Sequence, residues 1–491
     1  MKAQEKLFQP VHISFEEGTI EQYLDTIQSQ IGSGFVYSSA IAPHRQVKIT
    51  KGVYKVNYLL DSLFTEQSVL YIERRGQIIL SPQSPSSIEN DKVIVKGRVT
   101  GRKGQVIPFA TIYIQNKSLG TISNAEGVFK FVLPSRFTND TLTITSLGYK
   151  NKQISPDQYL TNELEVKLEV ENYVIRDVIV RPVNPVDIVK GSFNARGKNY
   201  ATKPTVMNAF FRESSKQDEN YISLSEALIE IKKNSYTNEK SDLIRFVKGR
   251  NGTNITQSEL VNLVVEGGLY NGLRLDVAKY GSYFYNEQLE SECDYKLHKT
   301  IIYGNRQTYV IKFVAKEGIK YPGYNGTLYI DAESLALVRA EFELGRDGIR
   351  YARSLLVKKT PRGYRVKPVH ARYEVEYRFY NNVWNLHYAR SDFGIKVKKV
   401  RGKENKGFSC DFSSTSEFVI TGISDTTKLK ISFRELSKPS DVLVEQVKNT
   451  PSNFWLEDNV ILPEEPLLST IRKLQLEGEL PKDDAMMTKD D

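Results

Sequence analysis

Apolar positions recur at every second residue through the stretch from Val93 to Tyr149: Ala110, Ile112 and Ile114, then Phe129 and Phe131, then Leu142 and Ile144. That spacing predicts strands with one buried face. The breaks fall at Gly101, Gly104, Asn124–Gly127 and Gly148, where turns are physically easy. Pro108 follows Ile107 at a place that suits a bulge or an edge. The pattern predicts a small β-sandwich or half-barrel of about seven short strands. Before it the period changes. Ile20, Leu24, Ile27 and Ile31 lie at i, i+4, i+7 and i+11, which predicts a helix near Thr19–Gln30 with one apolar face. Thr19 and Gln22 have the spacing of a capping box. Strands are expected at Val11–Phe15, Phe35–Tyr37 and Gln46–Ile49, a second helix at Lys55–Phe64, and a hairpin from Val69–Ile72 and Gln77–Leu80.

Beyond residue 187 the chain is longer and less regular. MNAFFRES predicts a helix at Pro204–Glu213, and Leu224–Ile231 matches both periods over so short a run. A series of strand candidates follows from Thr300 to Lys399, with turns expected at Tyr303–Arg306, Tyr324–Gly326, Pro361–Gly363 and Tyr380–Asn382. Sequential strands with short connections predict an antiparallel meander. An open apolar face is an association hazard, so such a sheet closes or is covered. The covering helices are expected at Pro204–Glu213, Pro439–Lys448 and Glu464–Leu476.

The segment SPQSPSSIEN (Ser81–Asn90) reads as a linker, and Pro182 and Pro185 end a last strand expected at Val174–Val180. The expected division is a small α/β domain at 8–81, a transthyretin-like β-sandwich at 91–170 and a large curved antiparallel sheet domain with covering helices at 187–478. The fold class is therefore multidomain and mainly β. A length of 491 residues fits several cores rather than one. Tyr 28 and Phe 22 against Trp 2 also favour sheets, on which aromatic rings pack well.

The formal net charge of +9 is spread thinly: −1 through Asn90, +4 from Asp91 to Lys190 and +6 beyond. No block is basic enough to point to nucleic acid. The two cysteines, Cys293 and Cys410, fit one bridge or two buried thiols, and the spacing does not choose. No apolar run approaches the roughly 20 residues of a membrane-spanning helix, and MKAQEKLFQP lacks the apolar core of a signal peptide.

Four sets of residues carry resemblances. Gly97–Val99, Ile107–Ile114, Gly120–Phe131 and Ile144–Lys150 resemble the carboxypeptidase-regulatory-like domain of Bacteroidetes envelope proteins, an accessory module without peptidase activity. The N-terminal pattern ISFEEGTIEQYLDTIQSQIGSGFVYSS, with VKITKGVYKVNYLLDSLF, resembles the secretin and TonB short N-terminal domain, which contacts partner proteins in the periplasm. Ala209–Ser214, Tyr221–Ile231, Gly326–Leu344 and Phe454–Leu468 resemble the soluble part of uncharacterised outer-membrane-associated proteins. Gly326–Phe342 is also similar to the sheet of periplasmic lipoprotein carriers. These resemblances imply an exported chain at the periplasm or the outer-membrane periphery whose signal peptide is absent from this sequence. They imply an outer-membrane or periplasmic protein partner.

Signals of catalysis are thin. The five histidines make no HExxH or HxH, the cysteines make no CxxC, and there is neither a GxSxG elbow nor a phosphate-binding loop. His370 and His387 lie on adjacent expected strands, and Glu374 and Glu376 share one strand face. Neither pair makes a site by itself, and no cofactor or metal is expected. The leading expectation is a non-catalytic envelope protein holding a lipid or other hydrophobic ligand in the sheet domain, with Phe313, Tyr329, Val338, Phe342 and Val357 lining the cavity. A structural or docking component is the alternative, and a hydrolase of unknown substrate is the third reading. The run KVKKVRGKENK offers Lys396, Lys398 and Arg401 as contacts to an anionic surface, or as charges that guard a strand edge.

Overall fold

In the computed structural model of the chain the described residues are 6–37, 41–64, 69–74, 77–82, 92–160, 163–171, 184–238, 240–253, 263–281, 284–400 and 408–424; beyond these come 435–438, 443, 455, 457–464 and 467. They fall into two compact units. One comprises Met1–Val93, Leu133–Arg136 and Thr450–Asp458, the other Ile94–Val132, Phe137–Asn449 and Asn459–Asp491. The strands expected at Val174–Val180 and the helix at Pro439–Lys448 fall wholly or mainly outside the described residues, as does nearly all of Glu464–Leu476.

The first unit is built around the helix Ile20–Ile31. Thr19 Oγ1 accepts from the Gln22 N–H, Gln22 returns a bond to the Thr19 N–H, and Gly32 closes the other end in the left-handed conformation. Its buried face (Ile20, Tyr23, Leu24, Ile27, Ile31) meets Leu59, Leu60 and Leu63 of the second helix, Val56–Leu63. Short antiparallel pairs join Pro10–Ile13 to Gly52–Lys55 and Glu17–Thr19 to Gln46–Lys48. Phe35–Val36 runs parallel to the second strand of the Val69–Arg74/Gln77–Pro82 hairpin. Both helices and the hairpin lie where the apolar periods place them, while the short strands Glu17–Thr19 and Gly52–Lys55 were not expected.

The sandwich has seven strands in two sheets. One orders Gly120–Ile122, Thr111–Ile114, Leu142–Thr145 and Lys152–Ile154; the other orders Val128–Pro134, Lys92–Gly101 and Leu164–Leu168. Gly127 turns at φ +75, and the Asn124 Oδ1 accepts from the N–H groups of Glu126 and Val128, so the Asn side chain is occupied in shaping the turn.

The rest of the second unit is one ten-stranded antiparallel sheet. Its strands are β1 Thr205–Gln217, β2 Asn220–Lys233, β3 Leu243–Thr253, β4 Cys293–Tyr303, β5 Arg306–Ala315, β6 Tyr324–Asp331, β7 Leu337–Leu344, β8 Tyr364–Tyr380, β9 Val383–Lys399 and β10 Ser409–Ser424. They lie in the order β3-β2-β1-β10-β9-β8-β7-β6-β5-β4, so the last strand joins the first. Three hairpins close with two left-handed residues each: Asp218–Glu219, Gly304–Asn305 and Asn381–Asn382. Such turns match the twist of the flanking strands.

Three expectations are corrected. Pro204–Glu213 is not a helix; it enters β1. Met207, Ala209 and Phe211 are buried on one side, but Val206 and Phe210 are buried as well, so the run shows no alternation from which to read a strand. The turn expected at Tyr324–Gly326 opens β6 instead, and Gly326 is there because an added Cβ would overlap the Glu341 carbonyl and the Phe342 backbone across the ladder. Pro185, expected as a stop, is the first residue of the helix α1 (Pro185–Asn194), where its missing N–H costs nothing; Asn184 caps the Val186 N–H.

One face of the sheet is covered by α1, α2 (Leu269–Arg274), α3 (Val277–Tyr280) and the segment around Phe284 and Tyr285. The apolar core lies between, from Met207 and Phe211 through Phe418 and Tyr377 to Val338 and Phe313. The opposite face carries a row of charges. Across neighbouring strands Arg250 stands opposite Glu226, Glu226 opposite Arg212, Arg212 opposite Glu417, Glu417 opposite Arg390, Arg390 opposite Glu374 and Glu374 opposite Glu341. Arg339 joins the end of the row through Glu374 at 2.6 Å, Glu376 at 2.7 Å and Glu341 at 2.8 Å. The sandwich sits on this face. Thr111 Oγ1 donates to Glu376, and the Arg378 guanidinium donates to the carbonyls of Lys117, Ser118 and Leu119. Burial there pushes the Arg378 pKa down to about 10. Cys293 and Cys410 are buried free thiols, and burial raises both to about 11.

Candidate functional site

Among the cavities of the second unit, the one beside the covered face has an aromatic floor. It holds about 300 Å³ between Tyr324, Phe342, Tyr373 and Phe393 of the sheet, Leu275 and Val277 on one side, and Leu355 and Leu356 on the other. The floor arises from strand parity: Tyr373 lies opposite Phe342, with ring centroids 5.1 Å apart, and Tyr324 sits edge-on to Phe342 at 5.5 Å. Glu266, Asn271, Arg274 and Ser391 supply polar groups around the apolar space.

The wall made by α2 and α3 is held from below. The Gly268 N–H donates to the buried carboxylate of Glu213, whose pKa burial raises. Gly272 lies flat on the Phe418 ring, where an added Cβ would come within 2.6 Å of a ring carbon. Asp276 caps α3 by accepting from the Lys279 N–H, and it also accepts from the Tyr377 hydroxyl at 2.8 Å. Beneath it Lys233 of β2, with no exposed surface, lies 2.6 Å from Asp276 and 2.7 Å from Asp242. Lys279 and the Tyr280 hydroxyl reach the same Asp242. Burial favours the neutral form of Asp242, but its two lysine partners outweigh that and hold it below the usual carboxylate range.

The five residues expected to line one cavity are divided by the structure. Phe342 is in the floor of the cleft. Phe313 and Val338 are sealed in the core, where Phe284 stacks on Phe313 at 4.4 Å and touches Phe342 at 4.8 Å. Val357 belongs to a neighbouring apolar cluster with Leu356 and Phe393. Tyr329 pairs with Arg339 and donates its hydroxyl to Glu341, which puts it on the charged side. Of the basic trio, Lys396 lies 3.5 Å from Asp411, Lys398 is exposed, and Arg401 falls outside the described residues. His370 pairs with Asp392 at 3.1 Å, whereas His387 is buried near Arg378 and held neutral, burial being the larger cause. Glu374 and Glu376 are engaged as partners of Arg339.

Sequence reasoning passed over Tyr324, Tyr373 and Phe393. Alternation of Tyr373, Val375 and Tyr377 carries the signal for one of them, and Tyr324 was masked by its place in an Asn-Gly stretch. The contribution of α2 had no signal, because six residues are too few to show a period.

Residues 95–180 match the CarboxypepD_reg-like domain, in agreement with the resemblance read from the same stretch. No curated protein matches the chain. Among solved structures, an outer membrane lipoprotein-sorting protein domain from Vibrio parahaemolyticus is similar at 8% identity and a TM-score of 0.23, over 50% of this chain and 95% of its own. A LolA superfamily protein from Nitrosomonas europaea is similar at 10% identity and a TM-score of 0.19, over 50% and 96%. The Pseudomonas aeruginosa MucA/MucB complex is similar at 10% identity and a TM-score of 0.16, over 48% and 93%. Likenesses at such scores say nothing of function.

Proposed function

We propose that this chain is a non-catalytic component of a Gram-negative envelope that holds a hydrophobic ligand in the cleft beneath α2 and α3. The observation that carries the reading is the floor of four aromatic side chains under an open-sided space of about 300 Å³. Sites for small apolar ligands are largely apolar with a few orienting polar groups. Each methylene buried there contributes about 0.8 kcal/mol, so eight give roughly 6 kcal/mol before ordering costs. The envelope setting rests on the sequence resemblances, and among the described residues no helix is long and apolar enough to cross a membrane.

A contact with anionic head groups fits the same setting. At the far end of β8 and β9, Arg365 stands opposite Lys398 and Lys367 opposite Lys396. Like charges directly across a ladder are unfavourable; Lys396 already has Asp411 at 3.5 Å, so an anion from outside is favoured chiefly beside Lys398. Lys396 and Lys398 are the residues proposed for that contact.

The test is titration of the whole chain with a fluorescent fatty acid. Leu355 lies in the cleft wall yet is 38% exposed, so Leu355→Glu leaves the fold intact. It is expected to weaken binding at least about tenfold, a loss of 1.4 kcal/mol or more. Phe342→Glu is expected to abolish it. No uptake by the unmodified chain at micromolar concentration, or equal uptake by Leu355→Glu, ends this reading and leaves docking to a protein partner in front.

A further inference from the structure

The charged face has a groove of its own. Two spaces of about 410 and 750 Å³ lie over it and share Arg372, Arg390 and Asp392; the smaller also reaches Phe342 and Tyr373 of the apolar cleft, whereas the larger has no lining residue in common with it. The larger runs between the sheet, the sandwich at Phe109 and the segment ending at Leu467, and is within the range of roughly 300–1,000 Å³ usual for small-molecule sites.

Arg390 is the odd member of the row. Arg212 binds Glu226, Glu417 and two main-chain carbonyls, and Arg339 binds three carboxylates. Arg390 makes no hydrogen bond and no ion pair with any described residue, and its Nε is buried without a partner. Glu417, Asp392 and Glu374 act on it through charge without a hydrogen bond, and the ring of Phe109 lies 4.8 Å below its guanidinium carbon. Phe109 in turn is set at φ +52, a conformation that costs a bulky residue about 1–3 kcal/mol. The strain is held by the sandwich: the next N–H, that of Ala110, is fixed to Ser123 Oγ at 2.9 Å. The ring lies on Tyr388, with centroids 6.0 Å apart and planes at 20°.

The remaining chemistry limits the ligand. Four basic and five acidic side chains line the larger space, so their charges nearly cancel. An anion meets Glu417 and Asp392 beside Arg390, and a cation meets Arg390 itself. Ser214 and Ser413 add hydroxyls that both donate and accept, Thr415, whose hydroxyl donates to Asp392, adds an acceptor, and Phe109 and Tyr221 add aromatic faces. Free donors beside free acceptors suit vicinal hydroxyl groups, and an aromatic face suits the C–H side of a sugar ring. We infer that this groove binds a short uncharged oligosaccharide, with Arg390 as the principal donor and Phe109 as the stacking platform.

The experiment is calorimetry of the full chain against a panel of neutral tri- to hexasaccharides, with Arg390→Met and Phe109→Asn as variants. Arg390→Met breaks no hydrogen bond but removes a charge that favours Glu417 and Glu374, so the variant should melt somewhat lower than the parent while remaining folded, and affinity should fall at least about tenfold for the lost charge-assisted bond. Phe109→Asn relieves the left-handed backbone, since Asn tolerates it. Strain relief therefore offsets part of the packing lost with the ring, so the variant should stay folded yet bind at least about fivefold more weakly. Affinity should change less than about twofold between roughly 0.05 and 0.5 M salt, because the ligand carries no charge. Leu355→Glu should bind the saccharide normally, which separates this site from the apolar cleft. No binding across the panel, binding unaltered by both variants, or displacement of the saccharide by inorganic phosphate would overturn the inference.

Discussion

Replacing Lys233 by methionine tests the ion cluster that fixes the wall of the apolar cleft. The ammonium is wholly enclosed, with Asp242 and Asp276 both within 2.7 Å. Methionine keeps the length of the side chain but leaves two buried carboxylates facing Lys279 alone. Removing one partner of a buried pair costs about 3–5 kcal/mol. The surviving Lys279–Asp242 contact places the expected loss near the lower end, at about 3 kcal/mol. Urea denaturation followed by the fluorescence of Trp384, which belongs to the same core, reads it. Adding Asp276→Asn removes the surplus charge, and recovery of at least about 1 kcal/mol relative to additivity is expected. The pH dependence has a definite sign. In the parent, Asp242 is held below its usual range, so its contribution is complete above about pH 4 and is lost as pH falls through the lower folded value. A Lys233→Met chain within about 1 kcal/mol of the parent at pH 7 would refute this account of the cluster.

Other outcomes are as definite. Gly326→Ala forces β6 and β7 apart at the Glu341 carbonyl and should cost about 2 kcal/mol or more, whereas Gly304→Ala, with open space around it but φ +57, should cost about 1 kcal/mol; thermal denaturation of both separates the two mechanisms. Arg378→Met leaves three carbonyls of residues 117–119 without their donor, and hydrogen exchange should quicken across 115–122 while the β8–β9 ladder stays protected. Denatured, unreduced protein should titrate two thiols, and in the native state both should react slowly with thiol reagents because burial keeps them protonated. Limited proteolysis should cut first within SPQSPSSIEN and near Pro182 and Pro185, as the three-domain division requires; early cuts inside Gly326–Leu344 would count against it.

The helix Ile20–Ile31 was legible because it buries a single face, so that period and burial coincide, whereas sandwich strands such as Val128–Pro134 are buried on both faces and were marked by their apolar content and the turns between them. The helix expected at Pro204–Glu213 failed for the opposite reason: β1 is buried on both sides, under α-helical cover on one and under chain segments such as Ile461 on the other. Phe313 and Val338, expected to line a cavity, lie on the buried face, but whether such a face is filled depends on Phe284, a residue in a connection with no period at all. The charged row left one mark in each of several strands, such as Arg212 in AFFRES and Arg390 in HYARSD. Joining those marks into a row requires the register, and the register depends on partners as far apart in sequence as β1 and β10.

That row has a consequence for how the strands find their places. A slip of one residue would turn the charges of the row onto the apolar covered face, but hydrophobicity is indifferent to a slip of two. Sliding β1 by two against β2 would move Arg212 from Glu226 to Leu224 or Leu228, and sliding it against β10 would trade Glu417 for Thr415 or Val419. Each misplacement strands a buried charge at a cost of several kcal/mol. The charges thus act as a vernier on a sheet of long strands, rejecting the frame shifts that hydrophobicity alone would let through.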